Sequence, residues 1–208
     1  MGTRGGRGSM SAMGRTMAVA LALAIASPAC GAVIDFDGLL DGEQVTNQYG
    51  GPTFTNATAI AAGLSLNEFE FPPASGSNVV FDDGGSLTID FATPVRSVFG
   101  HFTYATTLTL SFIAFDLGEA LATVTSAFAS NLALSGDIGS LPNEWLGSSS
   151  HGGIRAVTIA GDPAGGSFTL DDLSFERLPG SSVPEPATLL LVVAGVLGLT
   201  RRRGLAAG

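Results

Sequence analysis

Aspartate pairs near both ends of the central part of the chain are the residues whose chemistry is easiest to name. Asp35 and Asp37 are two residues apart in an apolar–polar alternation, so in a strand both side chains point to one face. Asp171 and Asp172 lie in a similar run close to the other end. Four carboxylates meeting at one rim would offer the oxygen ligands that calcium prefers, and a solvated acidic face without an ion is the alternative.

Trp145 is the only tryptophan and lies in Pro-Asn-Glu-Trp-Leu, which predicts a loop. An indole on a loop can stack on a sugar ring, or it can anchor the loop by packing. The two histidines, His101 and His151, lie in neither a Gly-x-Ser-x-Gly nucleophile elbow nor a His-Glu-x-x-His zinc motif. We predict a polar loop over residues 148–153. Because glycosidases use paired carboxylates, a secreted carbohydrate-active hydrolase is the alternative to a binding or structural protein.

The charges exclude several classes of protein. The chain has no lysine, and its nine cations are all arginines. A Walker-type phosphate loop and Schiff-base chemistry both need lysine. Residues 33–183 contain 17 acidic side chains and three arginines, so this part lacks the basic face that nucleic-acid binding requires.

Apolar–polar alternation with a period of two predicts an all-β body over residues 33–177. The runs are short and are separated by Gly, Pro and Asp clusters, including residues 82–85 and 92–94. We predict one antiparallel β-sandwich, specifically a jelly roll, with about eight to ten short strands. Five side chains are predicted to be buried in its core: Phe36, Phe91, Phe112, Val157 and Phe168.

The last predicted strand contains a break in its alternation. The apolar phase slips by one residue at Asp171 and Asp172, which predicts a β-bulge there. The first and last strands of such sandwiches are often neighbours. The bulge would then lie near Asp35 and Asp37.

The N-terminus has the order of regions found in secretory signals. Arg15 precedes the apolar residues 17–26, and small residues follow. The apolar run is too short to span a bilayer comfortably, which favours removal over anchoring. We predict a signal peptide over residues 1–32, with cleavage after Ala32 and with Ala29 as the alternative position.

Two further alternatives concern the same segment. Met13 would begin a more ordinary signal peptide, so it is an alternative start. Cys30, the only cysteine, offers a lipoprotein interpretation. A lipoprotein signal usually has an aliphatic residue three positions before the cysteine, where this chain has Ser27. We therefore favour cleavage without lipidation.

The C-terminus consists of a linker over residues 178–182, Val-Pro-Glu-Pro at 183–186, an apolar run over 187–200, and Arg201, Arg202 and Arg203. The two prolines hold the approach extended. As a helix, the apolar run rises about 21 Å against a hydrocarbon core of about 30 Å, and the aliphatic arms of the arginines lengthen it. Positive charges favour the cytoplasmic side, so the body would lie outside.

This C-terminal pattern resembles the PEP-CTERM sorting signal of Gram-negative bacteria. The resemblance implies that an exosortase recognises Pro184, Glu185 and Pro186 and removes the tail over residues 187–208. It further implies export by the Sec machinery, an inner-membrane intermediate, and then a cell-surface or extracellular location. Proteins of this kind are linked to exopolysaccharide, biofilm and the extracellular matrix.

The body also resembles a galactose-binding-like jelly roll in four scattered stretches: residues 34–38, 49–54, 102–104 and 166–173. That fold has sugar-binding, adhesive and structural members. The sequence therefore predicts an exported, exosortase-processed surface or matrix protein with a non-catalytic structural or glycan-binding β-sandwich. Trp145 is its candidate glycan contact, calcium is its candidate cofactor, and exopolysaccharide is its candidate partner.

Overall fold

The computed structural model of the protein describes residues 31–116 and 118–178. The predicted signal peptide, sorting motif, membrane helix and arginine triplet lie outside this part, apart from Gly31 and Ala32 at the end of the signal. The strands in the described part are β1 Gly31–Ile34, β2 Pro52–Thr55, β3 Ala57–Ala61, β4 Asn78–Asp82, β5 Leu87–Tyr104, β6 Thr109–Ala114, β7 Ala120–Thr125, β8 Glu144–Ala160 and β9 Phe168–Arg177. The described residues contain no helix, and the predicted all-β class is confirmed.

Strands β5 and β8 are long enough to run through both layers of a sandwich. The first part of β5, residues 87–91, pairs with β2 and with the C-terminal part of β8. The second part, residues 95–104, pairs with β9 and with the N-terminal part of β8. All of these pairs are antiparallel. One layer therefore continues into β6 and β7, and the other continues into β1, β3 and β4.

The core lies between these layers. Side chains from both halves of β5, such as Ile89 and Phe102, line one small interior space together with Val157 from β8 and Leu173 from β9. The predicted two-layer packing is thus confirmed. The predicted core residues are all at most 4% exposed: Phe36, Phe91, Phe112, Val157 and Phe168.

Two predicted connections are wrong, because strands run through them. Residues 92–94 lie inside β5 rather than in a turn, and residues 148–153 lie inside β8 rather than in a loop. Pro94 is tolerated because it lies where the register between β5 and β8 is interrupted, so its missing N–H removes no ladder bond. Gly153, with φ of 90°, lies near the same corner in β8.

The first and last strands are neighbours, as predicted: β1 pairs with β9 along its whole length. The predicted bulge in β9 is also confirmed. Phe99 pairs with Ser174 and His101 with Asp171, so one extra residue of β9 is accommodated between the two pairs. Asp172 lies in this bulge with φ of 47°, in the left-handed region.

Carboxylates hold many of the loops and account for part of the acidic composition. Glu70 accepts the N–H groups of Leu134 and Ser135, while Asp82 accepts those of Ser167 and Phe168. The Asp41 carboxylate likewise accepts hydrogen bonds from the Ser65 hydroxyl and the Ala61 N–H, and these bonds lower its pKa. Charged acceptors make stronger hydrogen bonds than neutral ones. The acidic side chains therefore stabilise loop backbone.

Candidate functional site

The outer face of β8, β5 and β9 presents aromatic side chains to solvent. Trp145 of β8 pairs with His101 of β5, and Gly147 pairs with Phe99. Directly paired residues, and residues two apart on one strand, share a face of the sheet. Trp145, His101 and Phe99 therefore lie side by side, and we call these three residues the aromatic shelf. The predicted loop position of Trp145 is wrong, because the residue lies in a strand.

The shelf is held together by ring contacts. The rings of Phe99 and Trp145 are stacked, with centroids 5.5 Å apart and an angle of 6° between their planes. The His101 ring contacts the same indole at 4.7 Å and 53°. Such aromatic pairs contribute about 0.5–1.5 kcal/mol beyond the area they bury. Trp145 nevertheless keeps 48% of its surface exposed, so a rigid indole remains available to a ligand.

Gly147 explains why Phe99 can take part in the shelf. A Cβ atom at position 147 would lie 2.4 Å from Cδ1 of Phe99 and 2.2 Å from the carbonyl oxygen of Val98. The Phe99 ring thus occupies the space that a side chain on β8 would need. The missing side chain lets this ring lie over β8, where Trp145 stacks on it.

The orientation of His101 is set by a loop residue. Its Nδ1 lies 3.0 Å from the carbonyl oxygen of Asn143. Since a carbonyl only accepts, Nδ1 donates, and in the neutral ring Nε2 is left as an acceptor. Asn143, with φ of 61°, donates its side-chain N–H to the Pro72 carbonyl oxygen at 3.1 Å. These contacts connect the shelf to the segment 72–78, which we call the end loop.

Asp171 and Asp172 anchor the end loop beside the shelf. One carboxylate oxygen of Asp171 accepts the N–H groups of Ala74 at 2.8 Å and Ser75 at 2.9 Å. The Asp172 carboxylate accepts the Ser75 hydroxyl at 2.8 Å. Because Asp171 pairs with His101, the loop lies next to the aromatic shelf. The β-bulge thus brings both aspartates to the same loop.

Asp37 holds the other end of the same loop. Its carboxylate accepts the N–H groups of Ser77 at 2.8 Å and Asn78 at 3.0 Å. The prediction that Asp35 and Asp37 share a strand is wrong, because β1 ends at Ile34 and Phe36 has φ of 59°. The Asp35 carboxylate accepts the N–H of Asp37 at 3.3 Å. Asp37 and the Asp171–Asp172 pair therefore converge on one loop, although by a different backbone path from the predicted one.

Calcium binding by these aspartates stays a prediction. In the part of the chain that the structure describes, no three His, Cys, Asp or Glu side chains form a group that could hold a metal ion. Burial raises the pKa of Asp171 to about 6, and the Asp172 charge adds to this. The N–H groups of Ser75, Asp172 and Ala74 act in the opposite direction. The geometry thus assigns Asp37, Asp171 and Asp172 to the support of the end loop.

His151 and Glu144, a histidine and a carboxylate of β8, have different surroundings. His151 is exposed in β8. Glu144 accepts the Tyr104 hydroxyl and the Ala127 N–H. Burial, followed by the hydrogen bond to Glu144, raises the pKa of Tyr104 to about 12. Glu144 therefore links Tyr104, at the end of β5, to the connection that follows β7.

A polar cleft of about 270 Å³ lies elsewhere, between β2, β3 and the turn after β4. Asn56 and Asp83 line it, and Asp83 accepts the Thr58 hydroxyl at 2.9 Å. Its aromatic residue, Phe54, is only 5% exposed. The cleft therefore offers polar groups without a ring to stack on, and the aromatic shelf is the better candidate site.

Trp145 was identified from the sequence, whereas Phe99, His101 and Gly147 were not assigned to a site. The alternation in residues 95–104 places Phe99 and His101 on one face. The missing information was the register between β5 and β8, since it decides which residue of β8 faces each of them.

Comparison with solved structures gives a remote likeness. The chain is similar to the K2 cleaved adhesin domain of Lys-gingipain, with 14% identity, 70% of this chain and 99% of that chain covered, and a TM-score of 0.44. It is also similar to the K1 cleaved adhesin domain of Lys-gingipain from Porphyromonas gingivalis W83. There the identity is 9%, the coverage is 71% and 98%, and the TM-score is 0.42. At TM-scores under 0.5 we draw no functional argument from this likeness.

The sequence comparisons give a specific result at the C-terminus. No curated protein matches the chain. Within residues 31–116 and 118–178, no helix is long and apolar enough to cross a membrane. Residues 182–203 match the model of the PEP-CTERM protein-sorting motif. This motif identifies the chain as an exported, exosortase-sorted bacterial protein of the cell surface or the extracellular space.

Proposed function

We propose that this protein is a non-catalytic component of the bacterial cell surface or extracellular matrix that binds glycan through the aromatic shelf. The sorting motif at residues 182–203 supports export. The observation that carries the glycan proposal is the half-exposed indole of Trp145, held in place by Phe99 and His101. Within this proposal, the ligand is exopolysaccharide of a biofilm, and the body is a galactose-binding-like jelly roll.

The proposed route to the surface uses both ends of the chain. The Sec machinery would export the protein through a signal peptide over residues 1–32. A helix over residues 187–200 and the arginines after it would hold it in the inner membrane of a Gram-negative cell. An exosortase would then recognise Pro184, Glu185 and Pro186 and remove the tail. Cleavage of the signal after Ala32 would remove the β1 residues that pair with Glu176 and Phe175, whereas cleavage after Ala29 would keep them.

The physical basis of the glycan proposal is the shape of a pyranose ring. One face of many pyranoses presents only C–H groups, while the hydroxyls point outward from the rim. An exposed indole covers the C–H face and leaves the hydroxyls free for polar neighbours. A ring that is already held by its neighbours loses little conformational entropy on binding. The stacked Phe99 gives Trp145 this property.

Affinity electrophoresis of the protein expressed from the full-length gene tests this function. Native gels would contain purified exopolysaccharide from the source cells, or dextran or hydroxyethyl cellulose. We expect at least one polymer to retard the protein and Trp145→Ala to weaken the binding about tenfold, a typical loss for a stacking contact. Phe69→Ala is the control, because Phe69 is 70% exposed and lies in the connection between β3 and β4 rather than in β8.

Four outcomes would contradict the proposal. The unaltered protein could migrate unchanged in every polymer, or Trp145→Ala could bind as tightly as the parent protein. Equal losses in Trp145→Ala and Phe69→Ala would indicate a non-specific effect of aromatic residues. Release of reducing sugar by the purified protein would favour the carbohydrate-active hydrolase instead. Circular dichroism of both variants checks that the fold is intact.

A further inference from the structure

The outer face that holds the aromatic shelf continues as a row of serine hydroxyls. Ser149 of β8 pairs with Ser97 of β5, and Ser174 of β9 pairs with Phe99. Ser97 is two residues from Phe99 on the same strand, so these three serines share the face of the shelf. We call them the serine row. Within the described part of the chain, none of the three hydroxyls forms a hydrogen bond and none of the three serines is buried, so all three are available to a ligand.

The length of this face exceeds one sugar ring. His101 and Ser97 are four residues apart on β5, which corresponds to about 14 Å at the rise of an antiparallel strand. The end loop closes the face beside His101, since Asn143 bonds both His101 and Pro72. A chain that stacks on Trp145 therefore extends away from the end loop and along the serine row.

The charges around this face are unfavourable for an anionic ligand. Asp172 lies in the bulge of β9 and Glu176 in the part of β9 that follows it, and both are partly exposed. Arg96 lies in the register shift between Val95 and Ser97, and the Arg177 side chain donates to the Gly50 carbonyl oxygen. Across residues 33–183 there are 17 acidic side chains and three arginines. The resulting negative potential repels a polyanion.

We propose that the face formed by the aromatic shelf and the serine row selects an uncharged hexose polysaccharide over an acidic one. One pyranose stacks on Trp145, and the following units donate to and accept from the serine hydroxyls. This inference rests on the proposed glycan-binding function and adds the chemical class of the ligand. It also assigns the serine row to the same site.

A matched pair of polymers tests the charge preference. Hydroxyethyl cellulose and carboxymethyl cellulose share a backbone, and only the second is anionic, while dextran and dextran sulfate form a second pair. The protein from the full-length gene would be run in gels containing each polymer, at low salt and at about 0.15 M salt, where the Debye length is about 8 Å. We expect a neutral polymer to retard the protein at both salt concentrations and its anionic partner to retard it less, most clearly at low salt.

Two sets of variants test the residues. Ser97→Ala combined with Ser149→Ala removes two hydroxyls and should weaken binding of the neutral polymer about fivefold. Ser111→Ala combined with Thr123→Ala is the control, because these two hydroxyl residues are paired in β6 and β7, in the other layer. Arg96→Ala should leave the preference for the neutral polymer in place.

The outcomes separate this inference from the proposed function. Failure of every polymer, including the purified exopolysaccharide, to retard the parent protein would overturn both. Binding that depends on Trp145 but favours the anionic polymer, or that Arg96→Ala abolishes, would overturn the charge preference alone. Unchanged binding by the Ser97 and Ser149 variant would remove the serine row from the site.

Discussion

Substitution of Gly76 in the end loop is the most direct test of how the aspartates support the shelf. Gly76 has φ of 54°, which an L side chain adopts only with strain. A Cβ atom there would lie 1.6 Å from Oδ2 of Asp37. Gly76→Ala must therefore displace the carboxylate that accepts the N–H groups of Ser77 and Asn78.

The expected loss of stability in Gly76→Ala follows from the backbone strain and from the displaced carboxylate. The left-handed conformation costs alanine about 1–2 kcal/mol. Loss of hydrogen bonds to a charged acceptor costs about 1.5–3 kcal/mol when no other group replaces it. Because Asp37 is exposed, water replaces part of this loss. We expect Gly76→Ala to lower the free energy of unfolding by about 2–4 kcal/mol and the melting temperature by about 5–15 °C.

Gly63→Ala is the matched control. Gly63 has φ of 77°, yet nothing lies within 4 Å of the position that its Cβ would take. This variant should lose only the conformational term, about 1–2 kcal/mol. Urea unfolding of both variants, followed by the fluorescence of Trp145, measures the difference.

A double-mutant cycle tests the mechanism. When Asp37→Ala is already present, Gly76→Ala should cost no more than Gly63→Ala, because the displaced carboxylate is gone. The sum of the stability losses in the two single variants should therefore exceed the loss in the double variant. Equal losses for Gly76→Ala and Gly63→Ala, or strictly additive losses in the cycle, would refute the described packing of Asp37 against Gly76.

Two other predictions concern pH and processing. Because the folded-state pKa of Asp171 is raised to about 6 from 3.8, the folded state binds more protons between these values, and stability should rise by up to about 3 kcal/mol as pH falls from 7 to 4. Urea unfolding of the parent protein and of Asp171→Asn across this range measures how the free energy of unfolding changes with pH. The same change with pH in the variant would contradict the assignment to Asp171. Glu185→Ala should leave the C-terminal tail attached and the protein in the inner membrane, as measured by mass spectrometry of membrane and surface fractions. Complete removal of the tail in this variant would exclude recognition through Glu185.

Much of the fold could be predicted because alternation in a strand records its burial. Residues such as Phe112 and Phe168 follow a period of two and are buried where the pattern places them. The phase slip at Asp171 and Asp172 marked the β-bulge for the same reason, since an extra residue inverts the alternation on one side of it. Export follows from the sorting motif at residues 182–203, which is a linear signal and needs no tertiary structure to be recognised.

The connections were less predictable, because a strand that changes layers has the composition of a turn. Pro94 and Gly153 are turn residues by their backbone preferences, yet both lie in long strands that bend at the corner of the sandwich. Asp35 and Asp37 alternate with apolar residues as in a strand. Phe36 instead adopts a left-handed conformation that does not continue the strand, and no local sequence pattern predicts this conformation.

The candidate site was decided by tertiary structure. The sequence by itself determined that the body is all-β, acidic and exported, and it identified Trp145 and the aspartates as notable residues. It did not determine the register that places Trp145 against His101 and Gly147 beneath Phe99, because pairing depends on two segments about 45 residues apart. The role of Asp37 and Asp171 as hydrogen-bond acceptors likewise depends on the end loop that packs against them. Side-chain periodicity is encoded locally, whereas the partners of a side chain are fixed only when distant strands and loops come together.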